Sequence, residues 1–148
     1  MADLSVNSPP PSGPRVPQTG PVATDLDLRA VGRRAVLAEV AELWDTDVDG
    51  VVARLGRVEL VAAFCGFAPG FAYLAGLGGE LAVPRLDAPR PQVPPGSVAV
   101  ADRWCGIYPT GSPGGWRLLG HTALTLWDPA GDPPALLAPG TRVRLAPA

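Results

Sequence analysis

The sequence predicts a mainly β domain, a barrel or a sandwich, preceded by a short helical hairpin and a proline-rich tail. Short apolar runs separated by Gly- and Pro-rich turns follow one another from residue 58 onward. Helical spacing of apolar residues is confined to 33–56. The 148 residues suffice for one domain of ordinary size.

The first 30 residues are rich in proline and poor in large apolar side chains. Such a segment buries too little surface to offset the entropy lost on ordering. We therefore expect residues 1–30 to form a disordered tail.

Residues 31–56 are predicted to form two short helices. The apolar face of the first helix comprises Val36, Leu37, Val40, Leu43 and Trp44. Thr46 and Asp49 form a weak capping box for the second helix, and Gly56 is the expected stop after it. The second helix carries one Arg and two Asp, which makes it a poor reader of a DNA groove. The hairpin is therefore interpreted as structural.

The predicted β domain spans residues 57–148. Its strand candidates are VELVAAF (58–64), SVAVA (97–101), WRLLG (116–120), ALTLW (123–127) and TRVRL (141–145). Turn signals between them include Pro95-Gly96, Gly114-Gly115 and Pro139-Gly140.

Charge and composition exclude several classes of function. The formal net charge of −2 gives no support for capture of nucleic acid or of an anionic membrane. All twelve basic residues are Arg, so the chain has neither a Schiff-base lysine nor a P-loop lysine. A single His and two distant cysteines, Cys65 and Cys105, make a poor metal-ligand set. With no export signal and no apolar run of membrane-spanning length, we expect a cytoplasmic protein with free thiols.

Three segments could carry chemistry. The first, FCGFAPGFAYLAGL (64–77), combines Gly70 and aromatic residues such as Tyr73. The second, VPRLDAPRPQVPPGS (83–97), carries Arg85 and Arg90 on a proline-stiffened scaffold suited to anion recognition. The third is IYPTGSPGGWRLLGHT (107–122), in which Ser112–Gly115 could form a nest-like turn for an oxyanion.

The chain resembles, in four stretches and in the same order, the allophanate hydrolase subunit 1 or KipI family. These stretches are GFAPGFAYLAGL, VPRLDAPRPQVPPGSVAVA, GIYPTGSPGGWRLLGHT and LLAPGTRVRL. Within the family, the closest likeness is to the B component of the bacterial ATP-dependent 5-oxoprolinase, which is a carboxyltransferase domain of the subdomain C and D type. The resemblance implies a cyclophilin-like closed β-barrel, with residues 31–56 as the remnant of a largely missing N-terminal lobe.

The resemblance also implies a non-autonomous enzyme component. With the homologous C component and a third component, A, of the 5-oxoprolinase complex, it would open 5-oxo-L-proline to L-glutamate while the assembled complex hydrolyses ATP, with Mg²⁺ accompanying the nucleotide. Two other functions remain open: inhibition of a histidine kinase, as in KipI, and a carboxyltransferase role in a urea- or allophanate-type biotin-dependent system. Because the chain has no lysine, it has no biotin attachment site.

The same likeness suggests roles for individual residues. Arg85 and Arg90 would hold a carboxylate or a phosphate, and Ser112 and His121 complete the expected catalytic set. The expected substrate-binding residues are Gly70, Tyr73, Tyr108, Pro113, Gly114, Gly115, Trp116 and Thr122. Trp104 stands where relatives usually have a polar residue, which puts one polar contact of the family site in doubt.

Overall fold

A computed structural model describes residues 22–26 and 34–147. Two α-helices, α1 (Arg34–Leu43) and α2 (Val48–Arg57), precede most of the strands. The strands are β1 (Val22–Leu26), β2 (Leu60–Cys65), β3 (Ala72–Ala75), β4 (Arg90–Val93), β5 (Ser97–Ala101), β6 (Trp104–Ile107), β7 (Ser112–Gly114), β8 (Arg117–His121) and β9 (Arg142–Pro147). None of the helices in these ranges is long and apolar enough to cross a membrane.

Seven strands form one sheet in the order β1-β9-β2-β3-β6-β5-β8, and β4 pairs with β7 in a separate ribbon. The predicted mainly β fold with a helical hairpin is confirmed. The large sheet curls into a half-barrel with β1 and β8 at its edges, so its described strands do not complete the closed cylinder that was expected.

The large sheet is apolar on both faces because its side chains alternate between two clusters. Val98 and Val100 of β5 face the larger cluster, which also contains the buried residues of both helices. Ala99, between them, faces a smaller cluster built around Phe71 and Tyr108. The hairpin and the sheet therefore share one core, and the second face is left for an aromatic cluster.

Polar contacts hold the helical hairpin together and tie it to the rest of the domain. Arg54 of α2 donates to the carbonyl of Trp44, the residue after α1, at 2.5 Å. The Trp44 indole N–H donates to the carbonyl of Leu81, in the short turn Gly79–Leu81, at 3.1 Å. Arg117 of β8 forms an ion pair with Glu39 of α1 at 2.6 Å, which links the hairpin to the sheet.

The ends of α2 differ from the sequence prediction. Asp47, not Thr46, is the N-cap, and its carboxylate accepts a hydrogen bond from the Gly50 N–H at 2.7 Å. Gly56 lies inside the helix, which ends where the Val58 N–H bonds to the Leu55 carbonyl. A glycine adopts helical angles as readily as left-handed ones, so its presence alone did not fix the helix end.

Two further predictions differ from the structure. Within the tail expected to be disordered, Val22–Leu26 pair in parallel with Arg142–Pro147, because this β-forming stretch can complete the free edge of β9. The rest of that segment lies outside the described residues. Residues 123–127 form no strand but a single bridge, Trp127 to Ala135, since the prolines that follow cannot donate to a ladder.

The helical placement of Gly56 has a measurable consequence. A Cβ there would lie 3.7 Å from the Leu145 carbonyl oxygen, an ordinary contact distance. We expect Gly56→Ala to raise the free energy of unfolding by about 0.5–1 kcal/mol, measured by urea denaturation. Gly140 is the matched control: it has φ +89° and no atom near its Cβ position, so Gly140→Ala should lose about 1 kcal/mol. A loss of stability in Gly56→Ala as well would contradict the helical placement.

Candidate functional site

The second face of the sheet holds a cleft of about 340 Å³. That volume lies at the lower end of the range for small-molecule sites, and the walls are mainly aromatic. The residues that line it are Phe67, Phe71, Tyr73, Arg85, Ala101, Asp102, Trp104, Tyr108, Gly114, Gly115 and Trp116. They come from β3, β6, the β5–β6 turn, the β4–β7 ribbon and the loops beside them.

Phe71 is the centre of the aromatic wall. Its ring lies 5.2–5.5 Å from the ring centroids of Phe67, Tyr73, Tyr108 and Trp116, in each case edge to face. Edge-to-face pairs of this kind contribute about 0.5–1.5 kcal/mol each beyond the area that they bury. The rings thus hold one another in place and give the cleft a fixed wall.

Two glycines leave room for these rings. A Cβ on Gly106 would lie 2.6 Å from Phe71 Cζ and 3.1 Å from Trp116 Cζ3, which no real side chain tolerates without displacement. A Cβ on Gly114 would meet the Tyr108 hydroxyl. The absence of side chains at both positions is therefore a packing requirement of the cleft wall.

Arg85 is the cation that lines the cleft, and Asp102 is the acidic residue. Arg90 lies behind the wall, where its guanidinium donates to the Trp116 carbonyl at 3.1 Å. The positive charges of both arginines also act on the Tyr108 hydroxyl. Arg85 is thus free to meet a ligand anion, whereas Arg90 holds the backbone that carries Trp116.

Burial raises the pKa of the Tyr108 phenol above its usual value of 10.0. A hydrogen bond with the Trp116 backbone and the charges of Arg85 and Arg90 act in the opposite direction, without cancelling the effect of burial. The hydroxyl is therefore protonated at neutral pH and can donate a hydrogen bond.

Backbone strain is concentrated at the edge of the cleft. Phe67 has φ +71°, in the left-handed region that bulky residues rarely adopt. Asp102 has φ +49° in the same region, which Asp enters more readily than most residues. Both residues line the cleft. Strained residues cluster at ligand sites because the surrounding structure holds them in place.

The structure brings together about half of the predicted site residues. Those that line the cleft are Arg85, Tyr73, Tyr108, Gly114, Gly115 and Trp116; those that do not are Arg90, Gly70, Ser112, Pro113, His121 and Thr122. His121 is placed opposite Ser97 at the end of β8, and Gly70 packs its backbone against Trp127. Thr122 is buried, with its N–H donating to the Gly96 carbonyl at 2.8 Å.

The predicted nest-like turn is not present. Ser112–Gly114 form strand β7, which pairs with Arg90–Val93 of β4. Two glycines and a proline predicted a turn, but the neighbouring extended segment supplies a pairing partner. The Ser112 hydroxyl is buried and has no hydrogen-bond partner among the residues that the structure describes. No oxyanion cradle is therefore assigned to these residues.

Asp102 was missed as a site residue, and Trp104 was noted only as a departure from the family pattern. Asp102 and Arg103 form the two-residue turn between β5 and β6, and Trp104 pairs with Ala101 across it. The only sequence signal was the pair of strands on either side of this turn, and only the first of them was predicted. Phe67 and Phe71 belong to the aromatic segment 64–77 but were not among the predicted site residues.

The family resemblance implies ATP and Mg²⁺, and the residues of the cleft do not fit these groups. Within residues 22–26 and 34–147, no three His, Cys, Asp or Glu side chains are grouped so as to hold a metal ion. The lining offers one arginine, an opposing carboxylate and mostly aromatic surface, which does not fit the phosphates of ATP with Mg²⁺. No step involving the nucleotide is therefore derived for these residues.

Loss of the glycine beneath Phe71 should disrupt the wall. We expect Gly106→Ala to lower the free energy of unfolding by about 1–3 kcal/mol, because the added methyl group overpacks the aromatic cluster. Gly79 is a suitable control, since its nearest neighbour, Arg103 Nη2, lies 3.7 Å from the Cβ position. Equal stability of the two variants in urea denaturation would contradict the packing described.

The Tyr108 phenol should ionise above pH 10, and Tyr108→Phe isolates its contribution to absorbance near 295 nm. Since the folded-state pKa is raised, the associated stability is complete below pH 10 and is lost as the pH rises through the folded-state value. Ionisation of Tyr108 below pH 10 in the folded protein would be inconsistent with this environment.

This chain is similar to proteins that are named as components of 5-oxoprolinase. It is 48% identical over 111 residues to the B component of 5-oxoprolinase from Escherichia coli O157:H7, covering 75% of this chain and 51% of the relative. It is 42% identical to the component of the same name from Bacillus subtilis strain 168, over 73% of this chain and 45% of the relative. The chain thus spans about half the length of these relatives.

This chain also resembles solved structures in fold. A conserved uncharacterised protein from Pyrococcus horikoshii aligns with a TM-score of 0.79 at 35% identity, over 86% of this chain and 58% of the other. The Kluyveromyces lactis urea amidolyase aligns with a TM-score of 0.66 at 19% identity, over 85% of this chain and 9% of the other, which shows a shared fold alone. These alignments confirm the predicted cyclophilin-like carboxyltransferase fold. Residues 20–137 match the model of the carboxyltransferase domain, subdomain C and D, and the chain belongs to that family.

Proposed function

We propose that this chain is one component of an ATP-dependent 5-oxoprolinase, in which its aromatic cleft binds 5-oxo-L-proline. The assembled complex would open this cyclic amide to L-glutamate while it hydrolyses ATP. The identity to two proteins named as the B component of 5-oxoprolinase supports the assignment at the level of the system. The composition of the cleft supports the ligand.

The observation that carries the proposal is a small aromatic cleft with Arg85 in its lining. 5-Oxo-L-proline is a small flat ring with one carboxylate. The aromatic rings would cover its two faces, and the guanidinium would pair with the carboxylate in the two-pronged geometry that arginine favours. The protonated Tyr108 hydroxyl is a suitable donor to a ligand oxygen.

The composition of the cleft also supports a division of labour within the complex. ATP, with its Mg²⁺, would bind to another component, because this cleft offers neither a lysine nor a cluster of cations for the phosphates. The homologous C component and the third component, A, are the expected partners. On this proposal the present chain recognises the cyclic amide, and its partners supply the energy-coupling step.

Activity of the assembled complex tests this assignment. We expect 5-oxo-L-proline-dependent release of phosphate from ATP when this chain is mixed with its two partner proteins from the same genome, and none from this chain alone. A complex that forms but shows no such activity would refute the proposed reaction. Inhibition of histidine-kinase autophosphorylation by this chain would then favour the KipI-like alternative.

Arg85 is the residue to change first. We expect Arg85→Gln to lower kcat/KM of the complex for 5-oxo-L-proline at least ~10-fold, since a lost charged hydrogen bond costs about 1.5–3 kcal/mol. Arg57→Gln is the matched control, because Arg57 is exposed at the end of α2 and does not line the cleft. Equal kinetics for the two variants would exclude Arg85 as the carboxylate-binding group.

A further inference from the structure

The cleft carries charges of both signs. Arg85 and Asp102 both line it, and both are exposed to solvent. Neither side chain forms an ion pair with another described residue, and they are not paired with each other. Because the two charges do not pair with each other, both remain available to a ligand. Arg85 can bind an anionic group of the ligand, and Asp102 can accept a hydrogen bond from it.

The backbone holds Asp102 in place beside the segment that carries Arg85. The Asp102 N–H donates to the Val83 carbonyl at 2.6 Å, and the Val83 N–H donates to the Asp102 carbonyl at 3.1 Å. Arg85 follows Val83 by two residues. A bridge of two hydrogen bonds therefore holds the backbone of Asp102 beside the segment that carries Arg85.

The turn position of Asp102 accepts more than one residue type. Glycine, Asn and Asp all adopt a φ near +49° in a tight turn, so the backbone alone does not select a carboxylate here. The Asp102 carboxylate forms no hydrogen bond with any described residue. An exposed carboxylate without a partner in the described ranges, at the edge of a cleft that also carries Arg85, is available to a ligand.

We propose that Asp102 is a specificity-determining residue that accepts a hydrogen bond from the ring N–H of the ligand, while Arg85 pairs with the carboxylate of the same ligand. The substrate class is then a small cyclic secondary amide that bears a carboxylate. A lactone, an N-alkylated lactam or a simple ring acid lacks one of the two groups that are recognised. This inference rests on the proposed function and adds that the ring N–H of the ligand is the group that Asp102 recognises.

The test pairs two ligands with four proteins. Dissociation constants of 5-oxo-L-proline and of N-methyl-5-oxo-L-proline are measured by calorimetry with the full chain in the presence of its partner proteins. The four proteins are the wild type, Asp102→Gly, Asp102→Asn and Asp45→Gly. Asp45 is the matched control, because it has φ +51° in the loop between the helices and does not line the cleft.

We expect the wild type and Asp45→Gly to bind the N–H ligand at least ~10-fold more tightly than the N-methyl ligand, the difference that one charge-assisted hydrogen bond supplies. In Asp102→Gly this ratio should fall toward one through weaker binding of the N–H ligand. Asp102→Asn keeps an acceptor oxygen and tolerates the same backbone angles, so it should retain part of the preference.

Each contrary outcome has a distinct meaning. A ratio that is unchanged in Asp102→Gly would overturn the role of Asp102 and leave the proposed function standing. Failure of both ligands to bind the wild type would refute the proposed function and the inference with it. Loss of preference in Asp45→Gly as well would show that the effect is not local to the cleft, and would also overturn the inference.

Discussion

The architecture depends on a sheet that is apolar on both faces. One face is covered by α1 and α2, and the other is covered by the aromatic rings around Phe71 and by the β4–β7 ribbon. Alternation along β5 divides the residues between the two faces without exception at Val98, Ala99 and Val100. The cleft is the part of the second face that the aromatic cluster does not fill.

The position of the cleft explains why so few charged residues line it. Strand residues that point toward the second face pack against Phe71, as Tyr73 of β3 does, and the charged groups of the cleft come from places where strands end or turn. Arg85 comes from the loop before β4 and Asp102 from the β5–β6 turn. Arg90, inside the ribbon, is instead occupied with the Trp116 carbonyl. The functional groups are thus located by the topology of the connections.

The sequence was sufficient for those parts of the fold that local periodicity determines. Both helices and the buried strand Ser97–Ala101 were predicted, because spacing and composition within each segment identify it. Ser112–Gly114 were predicted as a turn, since pairing with a distant proline-rich segment leaves no local signal. The same limit applied to the site: Arg85 and Trp116 were identified by composition, but Asp102 joins the cleft through a bridge to Val83 that no spacing reveals.

The close approach of Gly106 to Phe71 means that two parts of the cleft, the aromatic wall and the β5–β6 turn, tolerate amino-acid substitutions to different degrees. Any side chain at Gly106 would displace the Phe71 ring, which four other rings contact. The aromatic wall therefore accepts a substitution at Gly106 only together with changes in these rings. Asp102 lies at an exposed turn, and its carboxylate forms no hydrogen bond or ion pair within the described ranges, so a single substitution there disturbs few other contacts. During evolution, ligand preference can therefore change through single substitutions at this turn, while the aromatic wall is kept unchanged.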